Sequence, residues 1–442
     1  MKRKSAATSH ARAVQVKNTN IVTALCRKQK SEGVSKKMAV NFTVFEDFKA
    51  VDGVRLGVAQ AHVRYANRDD MVVIELAEGT TVAGVFTTNA FCAAPVQISK
   101  VHLADTAPRY LLINTGNANA GTGPQGYANA VRSCEMLAAA TAVQPAQILP
   151  FSTGVIGEPL NMAAFERGIP AALDNLSADN WARAAKGIMT TDTLPKGYST
   201  QFEVNGKTVT ITGMSKGAGM IMPNMATMLG YIATDAGISQ ALLQSWCKEL
   251  ADCSFNRVTI DGDTSTNDSC MLMATGRSGV QINDVASPEA QLVFAKLKEA
   301  FQILAQAIVR DGEGATKFVT IEVGGAASQK EALDVAYTVA HSPLVKTAMF
   351  ASDANWGRIL AAVGRSGVQD FDLEKVQIFI DDVQIVENGG RCESYTEEAG
   401  AAVFALTEFR VRIELARGDF REELWTCDFS HEYVTINANY RS

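Results

Sequence analysis

The chain has 442 residues, 47% hydrophobic and 20% charged, with only 11 prolines, which is ordinary globular composition with ample material for a large core. Its longest apolar runs, such as "MLAAATA" and "AAVFAL", fall far short of a membrane span, so a soluble protein is expected. Residues 1–37 carry ten Lys/Arg and a single acid, Glu32, so the overall charge of −6 leaves about −15 on the body from Met38 onward, a poor match for a nucleic-acid-binding surface.

That basic, Ser- and Ala-containing head reads as an organelle-targeting peptide, an over-extended start or an appended leader, and Met38 in "KKMAVNF" offers a natural start. It is set apart from the fold. The expected location is cytoplasmic, or the mitochondrial matrix if the head is a targeting peptide.

From residue 51, short β-rich runs alternate with Gly/Asn/Asp turns. "MVVIELAEGTTVAGVFTT" (71–88) predicts two strands around a Glu-Gly turn. "RYLLINTGNANAGTG" (109–123) predicts a buried strand running into a Gly/Asn loop. "GYANAVRSCEMLAAATA" (126–142) has helical periodicity, and "QILPFSTGVIG" (147–157) is a strand ending in a loop. "MAAFERGIPAALDNL" and "ADNWARAAKGIMTTD" predict helices. "STQFEVNGKTVTITGMSKGAG" (199–219) predicts a hairpin turning at Asn205-Gly206.

The second half continues in kind. A strand in "MLGYIATDA" precedes a helix in "SQALLQSWCKELADCSF" (239–255) and the polar stretch "RVTIDGDTSTND" (257–268). A long helix follows in "PEAQLVFAKLKEAFQILAQAIVRDGEGA", then a strand in "KFVTIEVGGA" (317–326) and a strand-turn-strand in "VQIFIDDVQIVENG" (376–389). "MTTDT" (189–193), "RDGEGATKF" (310–318), "SDANWGRILAAVGRSG" (352–367) and the tail "TINANYRS" (435–442) read as polar or Gly-rich loops. The sum is a mixed α/β chain with sheets flanked by helices.

Eight cysteines lie without CxxC spacing, and five histidines form neither HxxxH nor a Cys/His pair, so neither a zinc site nor a disulfide scaffold is expected. The Gly-rich loops do not fit nucleotide motifs. "GMSKGAGM" (213–220) lacks P-loop spacing, and "GNANAGTG" (116–123) is not a strand-to-helix GxGxxG. Lys216 is either a carboxylate anchor or a solvated loop charge.

"GAGMIMPNMATML" (217–229) sets one β-branched hydroxyl, Thr227, at the seam between a flexible loop and a strand. A Thr hydroxyl needs a base beside it to act as a nucleophile, and no nearby motif supplies a His. An N-terminal Thr supplies its own, since its α-amine has a reference pKa of about 7.7–8.0. Thr227 acquires that amine only if the bond to Ala226 is cut, which its hydroxyl can do by attacking the Ala226 carbonyl. The bland alternative is a plain Thr at a strand start. Thr153 and Gly154 in "STGVIG" are a hydroxyl and an amide suited to donating to an oxyanion.

Taken together, "KGAGMIMPNMATML", "INTGNANAGTG", "PFSTGVIGEPL", "MTTDT", "DGEGATKF" and "SDANWGRI" resemble the ornithine acetyltransferase family, also called bifunctional glutamate N-acetyltransferase, from about residue 45 to the end. The resemblance implies a DmpA/ArgJ-like α/β sandwich, with central β-sheets between helical layers, self-cleaved into α and β chains. It implies that residues 38–226 form the α chain and 227–442 the β chain, paired into a heterotetramer. It assigns Thr227 as nucleophile, Thr153 and Gly154 as the oxyanion hole, and Thr190, Lys216, Thr227, Glu313, Asn437 and the C-terminal residue as the substrate site. The family's terminal residue is usually Thr; here it is Ser442, which keeps the hydroxyl and carboxylate. The implied reaction moves an acetyl group from N2-acetyl-L-ornithine to L-glutamate with no metal or organic cofactor. Acetyl-CoA as a further donor separates bifunctional from monofunctional members.

Two rivals remain at this point. A related self-processing aminopeptidase would hydrolyse its acyl-enzyme, and a non-catalytic ligand-binding α/β protein would stay a single chain.

Overall fold

The computed structural model describes residues 39–222 and 228–440. The head 1–37, Ala226, Thr227 and Ser442 lie outside the described residues. In chain order the first half contains β1 (Val54–Ala59), β2 (Met71–Leu76), β3 (Thr81–Phe86), α1 (Ala94–Asp105), β4 (Tyr110–Asn117), α2 (Gly123–Thr141), β5 (Ile148–Val155), α3 (Met162–Leu173), α4 (Trp181–Gly187), β6 (Lys196–Val204) and β7 (Lys207–Lys216). Next come β8 (Leu229–Thr234), β9 (Gly237–Ile238), α5 (Gln240–Asp252), β10 (Val258–Thr259), β11 (Ser269–Ala274), β12 (Gln281–Ile282) and α6 (Pro288–Arg310). The last part holds β13 (Phe318–Ala326), α7 (Gln329–Ala340), α8 (Pro343–Phe350), α9 (Trp356–Gly364), β14 (Gln377–Ile380), β15 (Val383–Glu387), β16 (Gly390–Arg391), α10 (Glu397–Phe404), β17 (Glu408–Glu414), β18 (Phe420–Cys427) and α11 (His431–Ala438).

Two sheets face each other. One has the order β1-β2-β4-β5, the other β3-β11-β8-β7-β6. Between them lies a core of Leu56, Ile74, Ile113 and Phe151 from the first sheet and Met214, Leu229, Tyr231 and Met271 from the second, with Trp181 of α4. The outer face of the first sheet packs Leu112 and Ile148 against Leu137 of α2 and Phe165 of α3. The outer face of the second packs Ile211, Ile232 and Leu272 against Trp246 of α5 and Phe301 and Leu304 of α6. The result is helix, sheet, sheet, helix, because strands buried on both faces need apolar partners on both sides. This is the layered sandwich expected from the sequence. A third sheet, β10-β18-β13-β17-β14-β15-β16, has its own core with α7 and α9.

The turn at Asn205-Gly206 has φ of 51° and 73°, the left-handed pair that a two-residue hairpin demands. The two strands expected in 71–88 are present around Glu78-Gly79, but they are not partners: β2 lies between β1 and β4, whereas β3 pairs with β11 in the other sheet. The free edge of β3 is covered by α5, whose Gln240 and Gln244 side chains donate to the carbonyls of Val82 (2.7 Å) and Gly84 (3.1 Å). The segment "SCMLMA" is a strand, β11, that the sequence reading passed over. It is buried on both faces, so it shows no alternation, and Cys and Met carry little strand signal. Residues within 352–367 and 435–442, read as loops, form α9 and α11, started by the side chains of Asn355 and Ser430. No helix among the described residues is long and apolar enough to cross a membrane.

Candidate active site

β4 and β5 run parallel, and Thr153 near the carboxyl end of β5 meets Lys216 at the end of β7 in the second sheet. The β4–β5 ladder becomes irregular at Gly116 and Asn117, opposite Thr153 and Gly154. Gly154 has φ of 135°, and a Cβ there would lie 2.3 Å from the Gly116 carbonyl carbon, so only glycine fits this close passage of two backbones. Beside these strand ends is a cavity of about 420 Å³ lined by Thr153, Gly154, Thr190, Lys216, Glu313 and Asn437, together with Asn267, Met220 and Tyr440. Six of the nine sequence-expected residues therefore meet around one space. The other three, Ala226, Thr227 and Ser442, lie outside the described residues.

Lys216 is not a solvated charge. It is the last residue of β7, 3% exposed, and its Nζ donates to Thr153 Oγ1 at 3.1 Å. Burial pulls its pKa below the ordinary lysine value, with the Asp192 carboxylate working against that. Because the Thr153 oxygen accepts from Lys216, its own hydrogen is free to donate elsewhere. Lys216 is the register partner of Leu229 in β8, and Leu229 stands two residues after Thr227 in the chain.

A buried ion network holds these parts. Lys196 Nζ donates to Asp192 Oδ1 and Asp311 Oδ2, both at 2.6 Å, with all three side chains at most 1% exposed. Burial opposes the charge on Asp192, but the Lys196 and Lys216 ammonium groups hold its carboxyl below the usual range. Its oxygens also accept from the amides of Gly217 (2.7 Å) and Thr190 (3.0 Å). Asp311 accepts from the Thr193 amide at 2.9 Å. One network thus ties the Thr190 loop, the residue after Lys216 and the turn before Glu313. Asp192 lay inside the quoted "MTTDT", and Lys196 four residues later was the unused signal.

Glu313 also lines the cavity. Its Oε2 accepts from Asn437 Nδ2 at 2.7 Å, which anchors α11. A Cβ on Gly219 would sit 2.4 Å from the same oxygen, so the glycine lets main chain pass close to the carboxylate. Burial raises the Glu313 pKa. Asn267, which sequence reasoning missed, donates to the carbonyls of Ala118 (2.7 Å) and Ser152 (2.9 Å) and so clamps both strand ends. Asp268 is fully buried. Its Oδ1 accepts the Met228 amide at 3.0 Å, and Oδ2 has no hydrogen-bond partner among the described residues. Burial pushes its carboxyl well above the ordinary range.

A cation, a carboxylate and hydroxyl and amide groups around one cavity suit a small zwitterion such as an amino acid. No group of three or more His, Cys, Asp or Glu among the described residues is arranged to hold a metal ion.

Fold and cavity thus define a double-sheet α/β sandwich with a buried polar site of amino-acid size. The chain belongs to the ArgJ family, whose profile matches residues 55–442. It is 58% identical over 409 residues to the arginine biosynthesis bifunctional protein ArgJ of Pseudomonas fluorescens, covering 92% of this chain and 100% of that protein. The protein of the same name from Psychrobacter arcticus is 56% identical over 407 residues, with the same coverage. Among solved structures, the Bacillus halodurans arginine biosynthesis bifunctional protein argJ is 38% identical over 48% of this chain and 100% of its own, with a TM-score of 0.46. The Mycobacterium tuberculosis ornithine acetyltransferase complexed with ornithine is 30% identical over 39% of this chain and 93% of its own, with a TM-score of 0.35.

Proposed function

We propose that this ArgJ-family chain is an acetyltransferase of arginine biosynthesis that moves the acetyl group of N2-acetyl-L-ornithine to L-glutamate through an ester on Thr227. The observation that carries the proposal is the convergence of Thr153, Gly154, Thr190, Lys216, Glu313 and Asn437 on one cavity beside the start of β8. The names of its relatives point the same way.

The reaction begins with maturation. The Thr227 hydroxyl adds to the Ala226 carbonyl carbon, and the carbon–nitrogen bond breaks. The nitrogen takes up the hydroxyl proton and an ester forms. Water hydrolyses that ester to an Ala226 carboxylate and a free Thr227 amine. This leaves an α chain of residues 38–226, or one that includes the head, and a β chain of residues 227–442; two such pairs make the heterotetramer. In turnover the amine takes the hydroxyl proton as Thr227 attacks the acetyl carbonyl, ornithine leaves, and the glutamate amine then attacks the ester. Thr153 and Gly154 donate to the oxyanion of each tetrahedral species. Lys216 holds a substrate carboxylate, Glu313 or the chain terminus at Ser442 the ammonium end, and Thr190 and Asn437 complete the pocket. A hydroxyl, an amine and fixed donors suffice for this chemistry, so it needs neither metal nor organic cofactor. Acetyl-CoA serves as a second donor if this chain shares the bifunctionality in its relatives' names. The cytoplasm is the compartment that suits the reaction.

Purified protein given acetylornithine and glutamate should form acetylglutamate and ornithine in equal amounts. Release of free acetate in place of acetylglutamate would identify a hydrolase instead.

The pH dependence follows from the same chemistry. A free α-amine acting as base makes kcat/KM rise with pH through an apparent pKa of about 7–8. A cation nearby disfavours the protonated amine and lowers that value. Lys216→Met should therefore shift the rise to higher pH and raise KM by roughly 10- to 150-fold, the equivalent of about 1.5–3 kcal/mol for a hydrogen bond to a charged group. An unchanged KM and pH profile would remove Lys216 from substrate binding.

A further inference from the structure

The stretch "IDGDTSTND" (260–268) takes no part in the chemistry above, yet it touches both flanks of the cleavage segment. Asp261 Oδ2 accepts the Met220 amide at 2.7 Å and Oδ1 accepts the Ile221 amide at 2.8 Å. The Ile260 amide donates to the Ile221 carbonyl at 3.0 Å. At the other end of the loop, Asp268 Oδ1 accepts the Met228 amide at 3.0 Å. Both side chains thus accept backbone amides, Asp261 with both oxygens just before residues 223–227 and Asp268 with Oδ1 just after.

Between them, Asn267 binds the carbonyls of Ala118 and Ser152, the latter next to Thr153. The Tyr433 hydroxyl of α11 donates to Asp261 Oδ2 at 3.2 Å. The loop therefore links the two flanks to each other and to the strand that carries Thr153.

We propose that Asp261 and Asp268 are positioning residues for self-cleavage, Asp261 fixing the chain that enters the segment and Asp268 the chain that leaves it. The inference rests on cleavage between Ala226 and Thr227. Intramolecular attack requires a hydroxyl held close to a carbonyl carbon, and small misplacements lower such rates steeply. Anchoring both flanks reduces the freedom of the short segment between them.

The two anchors part company after the cut. Asp261 then holds the end of the α chain, which no longer bears the nucleophile. Asp268 still holds Met228, the residue bonded to Thr227. An effect on folding alone would not separate the two in this way.

The test follows conversion of freshly purified precursor by intact mass under denaturing conditions, then assays acetyl transfer per mole of cleaved protein. Asp261→Asn replaces one acceptor by a donor facing an amide and should slow cleavage by roughly tenfold or more, yet leave kcat of the cleaved protein within about threefold of wild type. Asp268→Ala should slow cleavage and lower kcat together, with KM little changed, and Asp268→Asn, which keeps an acceptor for Met228, should restore most of both. Should Asp268→Ala not fold, Asp261→Asn and Asp268→Asn still decide. Cleavage of Asp261→Asn at the wild-type rate overturns the proposal, as does an equal loss of kcat in the two cleaved variants accompanied by a lowered Tm. A wild-type protein that remains one chain would instead sink the cleavage reading beneath it.

Discussion

Thr227→Ala should purify as one unbroken chain without acetyltransferase activity, whereas wild type should yield two chains, one ending at Ala226 and one of 216 residues beginning at Thr227. The substitution removes a single hydroxyl, yet in the proposed mechanism that hydroxyl acts twice: it cuts the chain, and it then carries the acetyl group. Without the cut there is also no α-amine to act as base. Loss of both nucleophile and base leaves only binding and oxyanion stabilisation, so activity should drop by several orders of magnitude. Intact mass under denaturing conditions with N-terminal sequencing reads the first effect, and acetylglutamate formation the second. Thr227→Ser, which keeps a hydroxyl and after cleavage an amine, should still be cut and should retain measurable transfer. A full-length wild-type chain that transfers acetyl groups would show that another group is the nucleophile.

What the sequence made legible was set by how locally each feature is encoded. The Asn205-Gly206 hairpin and the long amphipathic α6 depend on neighbouring residues, and both were readable. The separation of β2 and β3 into different sheets depends on partners far along the chain, Tyr110–Asn114 for one and Ser269–Ala274 for the other. No short-range pattern records that. β11 was hidden because burial on both faces erases alternation.

The site shows the same division. Thr153, Gly154, Thr190, Lys216, Glu313 and Asn437 were found through family-like segments, each of them local. The Asp192–Lys196–Asp311 network that ties three of those segments together joins residues 115 apart, from Lys196 to Asp311, and could not be read from spacing alone. Lys216 shows how context decides a role. Its glycine-rich surroundings left a carboxylate anchor and a solvated loop charge equally open, and the β7–β8 ladder draws it inside against Thr153.

That contact sets the second large effect. Thr153→Ala should lower kcat by roughly 10²- to 10³-fold, the equivalent of about 2.7–4 kcal/mol, while KM for acetylornithine stays within a few-fold. In the proposed oxyanion hole the asymmetry arises because Thr153 Oγ1 accepts from Lys216, which leaves its own hydrogen to donate elsewhere. In that role it would donate to charge that exists only in the tetrahedral species. The proposed maturation passes through a tetrahedral species of the same kind, so the variant should also be cut slowly, and kcat must be referred to the cleaved fraction measured by mass. Thr153→Ser keeps the hydroxyl and should recover most of the rate, which separates loss of a donor from loss of a methyl group in packing. A rise in KM without a fall in kcat would mean that Thr153 serves mainly to hold Lys216 in place for the substrate carboxylate, and the oxyanion would then rest on the Gly154 amide alone.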